Sequence, residues 1–260
     1  MKLTFLGTGT SFGVPVVGCA CETCRSEDAR DRRTRHGALV EWGSKRLLID
    51  TPPELRMQLL AADVNDVDAV WFTHAHADHI HGIDDLRAFS FRGGRDVPAY
   101  VPQGTAGYFH ARFPYIFDAA VQVAEGTSKP HVRLVEVDPE GRLDVLGRIV
   151  EPLPVPHGAF TVYGLRVGAL GYITDGKALP PLVVERLRGV KVLVLNALWF
   201  GRPHPTHFNI EEAVAAAQSI GAERTFLTHL THRVRHGELE ESLPPGIAPA
   251  YDGLTVEIPE

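Results

Sequence analysis

The segment THAHADHIHG, residues 73–82, places four histidines and one aspartate within ten residues. His74, His76, Asp78 and His79 offer borderline-soft imidazole nitrogens and one hard carboxylate, the donor set that suits Zn²⁺, Mn²⁺ or Fe. The spacing is too dense for one closed tetrahedral site. Adjacent Asp78 and His79 cannot easily face the same ion as both His74 and His76, so two ions side by side is the natural reading. The bland alternative is a solvated, histidine-rich turn. Against it stands the context: the apolar run DAVWF precedes the motif and IDDLRAF, a helix candidate, follows it. Side chains leaving a strand end for a loop can converge on one point. A second cluster is GCACETC, residues 18–24, which holds all three cysteines of the chain, Cys19, Cys21 and Cys24. An odd count cannot pair internally in full, and C-x-C-x-x-C is poor disulfide spacing. A reduced, cytoplasmic setting is therefore expected.

The elements that must position these groups can be read from patterning. The chain of 260 residues is 44% hydrophobic and 22% charged, which allows a large core without disulfides. Strand-like runs recur as KLTFLG, RLLID, DAVWFTH, VPAYVP, YITD, VKVLVLNAL, RTFLTHL and LTVEI. Helical patterns alternate with them as PELRMQLLAA, IDDLRAF, LPPLVVERLRG and NIEEAVAAAQSIG. In the last, Asn209 and Glu212 have the spacing of a capping box, and Gly221 supplies the stop. VKVLVLNAL is nearly all apolar, as a strand buried on both faces would be. The mixture implies one layered α/β domain over residues 1–260. The Gly/Pro-bearing stretch 92–104 and the polar stretch 125–131 are expected to be surface loops. The N-terminus lacks the apolar run of a signal peptide, and no run approaches the ~20 apolar residues of a membrane span. Net charge is −6 with no Lys/Arg block, so a broad nucleic-acid surface is not indicated, although a local patch stays open.

The motif at 73–82 resembles that of the metallo-β-lactamase superfamily, and later signatures follow in that family's order. VPHG brings His157, YITD brings Asp175 and LTHL brings His229. Each alone would more often be a loop or satisfied core residue. The resemblance implies His74, His76 and His157 on one metal, Asp78, His79 and His229 on the other, and Asp175 bridging. It implies the four-layer αβ/βα sandwich, with the site at one edge between the sheets. Two divalent ions, Zn or Mn, are then expected, with a shared water that loses its proton near neutral pH and attacks carbon or phosphorus. Asp175 would help steady that nucleophile. Asp50, closing RLLID, could orient a ligand histidine or simply turn the chain before Pro52.

FLGTGTSFGVPVVGCACETCRS resembles the N-terminus of the phosphodiesterase family that cleaves ribosyl cyclic phosphate in phosphonate degradation. A cysteine cluster is shared with the pyrroloquinoline-quinone biosynthesis B family. The phosphodiesterase resemblance implies one structural zinc on Cys19, Cys21, Cys24 and His232, with His36 a weaker fourth-ligand candidate. HPTHFNIEEA, 204–213, resembles the segment before a capped helix in tRNase Z-type phosphodiesterases. His207 there is expected to touch phosphate or protonate a leaving alkoxide, whereas His204 is expected only to decorate the helix entrance. No role is assigned to His81, His110, His131 or His236. The expected activity is hydrolysis of a small or cyclic phosphodiester, with Asp78, Asp175 and His207 in the chemistry. Hydrolysis of a thioester or lactone, and a non-hydrolytic metal oxygenase, are the alternatives. The expected partner is a small-molecule substrate, with no membrane and a homodimer left open.

Overall fold

The computed structural model describes residues 1–121 and 124–260. Fourteen strands are β1 Lys2–Gly7, β2 Gly37–Trp42, β3 Lys45–Ile49, β4 Ala69–Trp71, β5 Val97–Pro102, β6 Val132–Val137, β7 Leu143–Val145, β8 Arg148–His157, β9 Phe160–Val167, β10 Leu170–Tyr172, β11 Val192–Asn196, β12 Arg224–Thr228, β13 Ile247–Pro249 and β14 Thr255–Glu257. They form two seven-stranded sheets, ordered β14-β1-β2-β3-β4-β5-β6 and β13-β12-β11-β10-β9-β8-β7.

Alternation along the strands builds the layers, because successive side chains point to opposite faces. Leu47 and Ile49 of β3 join Val192 and Val194 of β11 in a core between the sheets, together with Phe5, Trp71 and Tyr172. Leu48 points the other way, into a core shared with Leu55, Ile80, Phe89 and Phe109 from the helices covering the first sheet. Leu193 and Leu195 likewise meet Val183, Leu187, Ile210 and Ala213 from the helices on the second sheet. Helix, sheet, sheet, helix is the expected four-layer sandwich. The inter-sheet core draws on residues from Leu3 to Ile258.

Several local readings hold. Every residue of β11 is buried. Asn209 accepts from the Glu212 amide at 2.8 Å and the Glu212 carboxylate accepts from the Asn209 amide at 3.0 Å, capping helix Ile210–Ile220, which ends at left-handed Gly221. The run VPAYVP, read as a strand, is β5, flanked by β4 and β6 with parallel pairing on both sides. The loop expected across 92–104 is confined to 94–96 and 103–104. The stretch YITD also stops short as a strand: β10 ends at Tyr172, and the chain bends at Asp175, with a left-handed φ.

Strand β8 shows how composition delivers a ligand to the edge. Pro152, Pro154 and Pro156 alternate, so their missing N–H groups fall on one side. The partner on one side is β9 from Val150 to His157, but β7 pairs only with Arg148, Ile149 and Val150. The prolines lie past that point, where no ladder donor is needed. The strand therefore runs on unpaired along one edge to its last residue, His157.

Candidate metal centre

Five strands end at the same rim. Beyond β3 comes Asp50, beyond β4 the motif 73–82, at the end of β8 His157, beyond β10 Asp175, and beyond β12 His229. The carboxyl ends of strands are where α/β sheets commonly place their sites. Asp50, Asp175 and His229 adopt left-handed φ of 61°, 55° and 59°. A non-glycine residue there costs about 1–3 kcal/mol, which must be overdetermined by the surroundings. Three of the five such residues among those described sit at this rim.

The loop is held by a close approach. A Cβ on Gly82 would lie 2.1 Å from the Pro52 carbonyl oxygen, so only glycine lets the motif return against residues 50–52. The Gly82 amide donates to Thr51 and the Thr51 amide donates to His79, at 2.8 Å each.

The side chains converge as expected. Donor atoms of His74, His76 and His157 lie within 4.8 Å of one another, as do those of His74, His79 and Asp175. His79 Nε2 is 3.5 Å from Asp78 and 3.6 Å from Asp175, and His229 Nδ1 is 3.3 Å from Asp175. His74 Nε2, His79 Nε2 and His229 Nδ1 are buried without a hydrogen bond. Buried polar atoms are normally paired, so three orphaned imidazole nitrogens around buried carboxylates fit divalent cations.

Electrostatics agree. Burial, then the neighbouring His79, pushes His74 well below the ordinary imidazole value, leaving a neutral ring with a free lone pair. Burial pushes His229 down to about 3. Burial would raise Asp175, but His229 and His79 outweigh it and hold the carboxyl well below its usual range. His79 is the exception: against its burial, Asp175, Asp50 and Asp78 hold it well above the ordinary value. Three carboxylates around one ring mark a pocket short of positive charge.

Asp50 does orient a histidine. Its Oδ2 accepts from His79 Nδ1 at 2.6 Å and from the Thr73 hydroxyl at 2.8 Å, while Oδ1 accepts from the Thr73 amide at 2.8 Å. That turns His79 Nε2 inward. His157 Nδ1 donates to the Thr206 carbonyl at 3.2 Å, with the same effect.

His36 is not at the cysteines. It is buried beside Asp50, with Nδ1 3.1 Å from Oδ2 in poor hydrogen-bond alignment and Nε2 2.8 Å from the Tyr172 hydroxyl. A lone histidine before an apolar strand carries no sequence signal for that partner. His207 reaches the centre: Nε2 is 3.2 Å from Asp175 Oδ2, and its ring lies 4.7 Å from that of His157. His204 stands beside His207: its Nδ1 is 3.2 Å from His207 Nδ1, and both meet the Thr206 hydroxyl.

At the second cluster, Cys19, Cys21 and Cys24 sulfurs lie 3.3, 3.4 and 3.6 Å from His232 Nδ1. The Cys24 amide beside Cys21 helps bring that thiol down to about 6, while burial pushes Cys24 up to about 11. Three thiols and one imidazole on a common point fit a tetrahedral zinc site. The Leu230 amide donates to Thr8 at 2.9 Å, tying the N-terminal loop to the chain leaving β12. His81, His110 and His131 are exposed; His236 is buried, with Nδ1 3.2 Å from Arg33 Nη2.

Residues 45–230 match the Beta-lactamase superfamily domain, and the chain belongs to that superfamily. Its fold and clustered histidines and aspartates are those of a metal-binding hydrolase family. Within it the chain falls in the PhnP family. The crystal structure of a new diphosphatase from that family is 39% identical, covering 99% of this chain and 98% of that one with a TM-score of 0.90. An octanoyltransferase of Porphyromonas gingivalis is 38% identical over all of this chain, but the chain spans only 52% of that protein's length. A ribonuclease Z of Methanopyrus kandleri is 27% identical across 99% of this chain and 98% of that protein. No helix among the described residues is long and apolar enough to cross a membrane.

Proposed function

We propose that the protein is a dinuclear metal-dependent hydrolase that cleaves a P–O bond in a small or cyclic phosphodiester. The observation that carries this reading is His207, an imidazole beyond the seven candidate ligands, 3.2 Å from Asp175 and facing the centre. His74, His76 and His157 would hold one ion, Asp78, His79 and His229 the other, and Asp175 both. Two divalent ions, Zn or Mn, would supply Lewis acidity that acidifies water and offsets charge on phosphoryl oxygens. Asp50 and the Thr206 carbonyl hold two ligand rings in place. His207 donates a hydrogen bond to a phosphoryl oxygen and a proton to the leaving alkoxide. Cys19, Cys21, Cys24 and His232 would bind a structural zinc that pins the N-terminal loop.

A second reading is supported by the diphosphatase relative. The same centre would then cleave a phosphoric anhydride, whose leaving phosphate needs less protonation. The octanoyltransferase name belongs to a protein about twice as long and does not place acyl transfer in the matched half.

The test is a panel on protein reloaded with Zn²⁺ or Mn²⁺: an aryl phosphodiester, a cyclic nucleotide, a diphosphate diester, a thioester and a lactone, with His76→Ala as blank. Cleavage confined to phosphorus substrates supports the reading, and the fastest class separates diester from anhydride. Preference for the thioester or lactone, or inactivity with native iron bound, overturns it.

A further inference from the structure

A proton donor must release its hydrogen from the nitrogen that faces the substrate. In His207 that nitrogen is Nε2, 3.2 Å from Asp175 Oδ2. Which nitrogen of an imidazole keeps a hydrogen is set by the partner of the other one. Nδ1 of His207 has two neighbours, both on the loop between β11 and the capped helix: the Thr206 hydroxyl at 2.9 Å and His204 Nδ1 at 3.2 Å. A backbone amide only donates, and the Thr206 amide donates to His204 Nδ1 at 3.3 Å. His204 Nδ1 is therefore an acceptor, with its ring hydrogen on Nε2. It also lies 3.2 Å from the Thr206 hydroxyl, which has one hydrogen to give. With that hydrogen turned to His204, the hydroxyl oxygen presents a lone pair to His207. Both neighbours of His207 Nδ1 then accept, and a hydrogen there is satisfied.

The loop is held from several sides. The Thr206 methyl packs over Gly158, where an added Cβ would lie 3.0 Å from it. That contact selects the rotamer of a side chain already stiff at χ1. The Thr206 carbonyl faces His157 Nδ1 at 3.2 Å, and the Phe208 amide donates to the Gly176 carbonyl at 3.0 Å, beside Asp175. Trp199 stands perpendicular to the His204 ring, with centres 5.5 Å apart, and the Arg233 guanidinium lies 4.5 Å from the centre of the Trp199 ring.

We propose that His204 and Thr206 are positioning residues that fix the retained hydrogen of His207 on Nδ1, so that the hydrogen on Nε2 is the one given to the leaving group. The proposal rests on the P–O hydrolase reading and adds to it the residues that aim its proton donor. In the step, the leaving alkoxide takes the Nε2 hydrogen and becomes an alcohol. The imidazolium becomes a neutral ring whose remaining hydrogen stays on Nδ1, bonded to Thr206.

The experiment compares His204→Phe, which keeps a ring beside Trp199 but has no acceptor, with His204→Asn, whose Oδ1 replaces Nδ1. In His204→Phe the Thr206 hydroxyl turns its hydrogen to His207 Nδ1. Its kcat for adenosine 2′,3′-cyclic phosphate, an alkoxide leaving group, should fall by about tenfold, less than the about 10²–10⁴-fold of a whole proton donor. KM should hold, and the rate on bis(p-nitrophenyl) phosphate should not change. His204→Asn should keep the alkoxide rate. A long-range proton–nitrogen spectrum of the zinc-loaded protein, with labelled imidazoles held neutral and His207 assigned through His207→Ala, reads the hydrogen itself. It should lie on Nδ1 in the wild type and in His204→Asn, and leave Nδ1 in His204→Phe. Equal losses on both diesters, no loss on either, or Nδ1 still protonated in His204→Phe overturns the proposal. If the wild type cleaves neither diester, the hydrolase reading has failed, and the spectrum alone decides the positioning. Nδ1–H that depends on His204 keeps it; Nδ1 without hydrogen in the wild type ends it.

Discussion

Asp50→Asn separates orientation of a ligand from folding. The side chain is fully buried and receives Thr73 N–H on Oδ1, and His79 N–H and Thr73 O–H on Oδ2, at 2.6 to 2.8 Å. Asparagine has the same shape and tolerates the left-handed φ of 61°, so the backbone is spared. An amide, however, carries two donors. Turned one way, its NH₂ meets the Thr73 amide. Turned the other way, it meets His79 Nδ1 and His36 Nδ1. One buried donor stays unpaired in either case, at a cost of about 1–3 kcal/mol. For a chain of this size that lowers Tm by roughly 2–10 °C. Loss of the carboxylate also makes His79 a weaker base, and partners of this kind are typically worth about 10–100-fold in metal affinity. The assay is Zn²⁺ competition against a chromophoric chelator in a Cys21→Ser background, which isolates the histidine-rich centre, with a thermal melt beside it. The expected result is a folded protein with lower Tm and one weakened ion. Zinc affinity within twofold of the parent would refute the reasoning and reduce Asp50 to a structural turn residue.

His207→Ala should lower kcat by about 10²–10⁴-fold for alkyl leaving groups and less for p-nitrophenolate, which needs no proton; equal losses on both would remove it as a proton donor. Cys21→Ser should lose one metal ion by elemental analysis while the histidine-rich centre keeps its pair. Gly82→Ala should destabilise the fold by at least about 1–3 kcal/mol in urea melts and deplete bound metal, because its Cβ has no room beside Pro52. His236 should make stability pH-dependent. Burial, then Arg33 and Arg30, holds it at about 4, below the ordinary 6.5, so on acidification the unfolded chain takes up the proton first. Stability is then lost from about pH 6.5 down to 4 and is flat below, by up to about 3 kcal/mol from this residue. Urea melts of the wild type and His236→Asn should show the wild type's advantage shrinking over that window; a constant difference would count against it.

Much of the centre could be read in the chain because dense ligand motifs leave few alternatives. Four donors in six residues after an apolar strand have one economical use: His74, His76, His79, His157 and Asp175 cluster at one rim, with Asp78 beside His79 and His229 beside Asp175. Alternating apolar faces of β3 and β11 specified layers, since a strand's side chains have a fixed period. The stretch 92–104 carried two readings, strand for VPAYVP and loop for the whole, because proline content resembles loop content. The backbone pairing that makes β5 an interior strand is set by β4 and β6, separated from it by 25 residues on one side and 29 on the other. His36 was misplaced for a related reason: its partners Asp50 and Tyr172 are joined to it by packing across both sheets, not by spacing.

The sequence by itself determined the donor chemistry, the capped helix and the alternation that buries both sheets, because each depends on residue type and on neighbours a few positions away. Only the tertiary structure decided that His207 stands beside Asp175, that Arg33 lies buried against His236, and that Tyr108, Arg112 and Phe160 share one cavity at the metal rim. Those residues come from separate elements of the two halves. Their meeting depends on how the sheets stack, which no local pattern encodes.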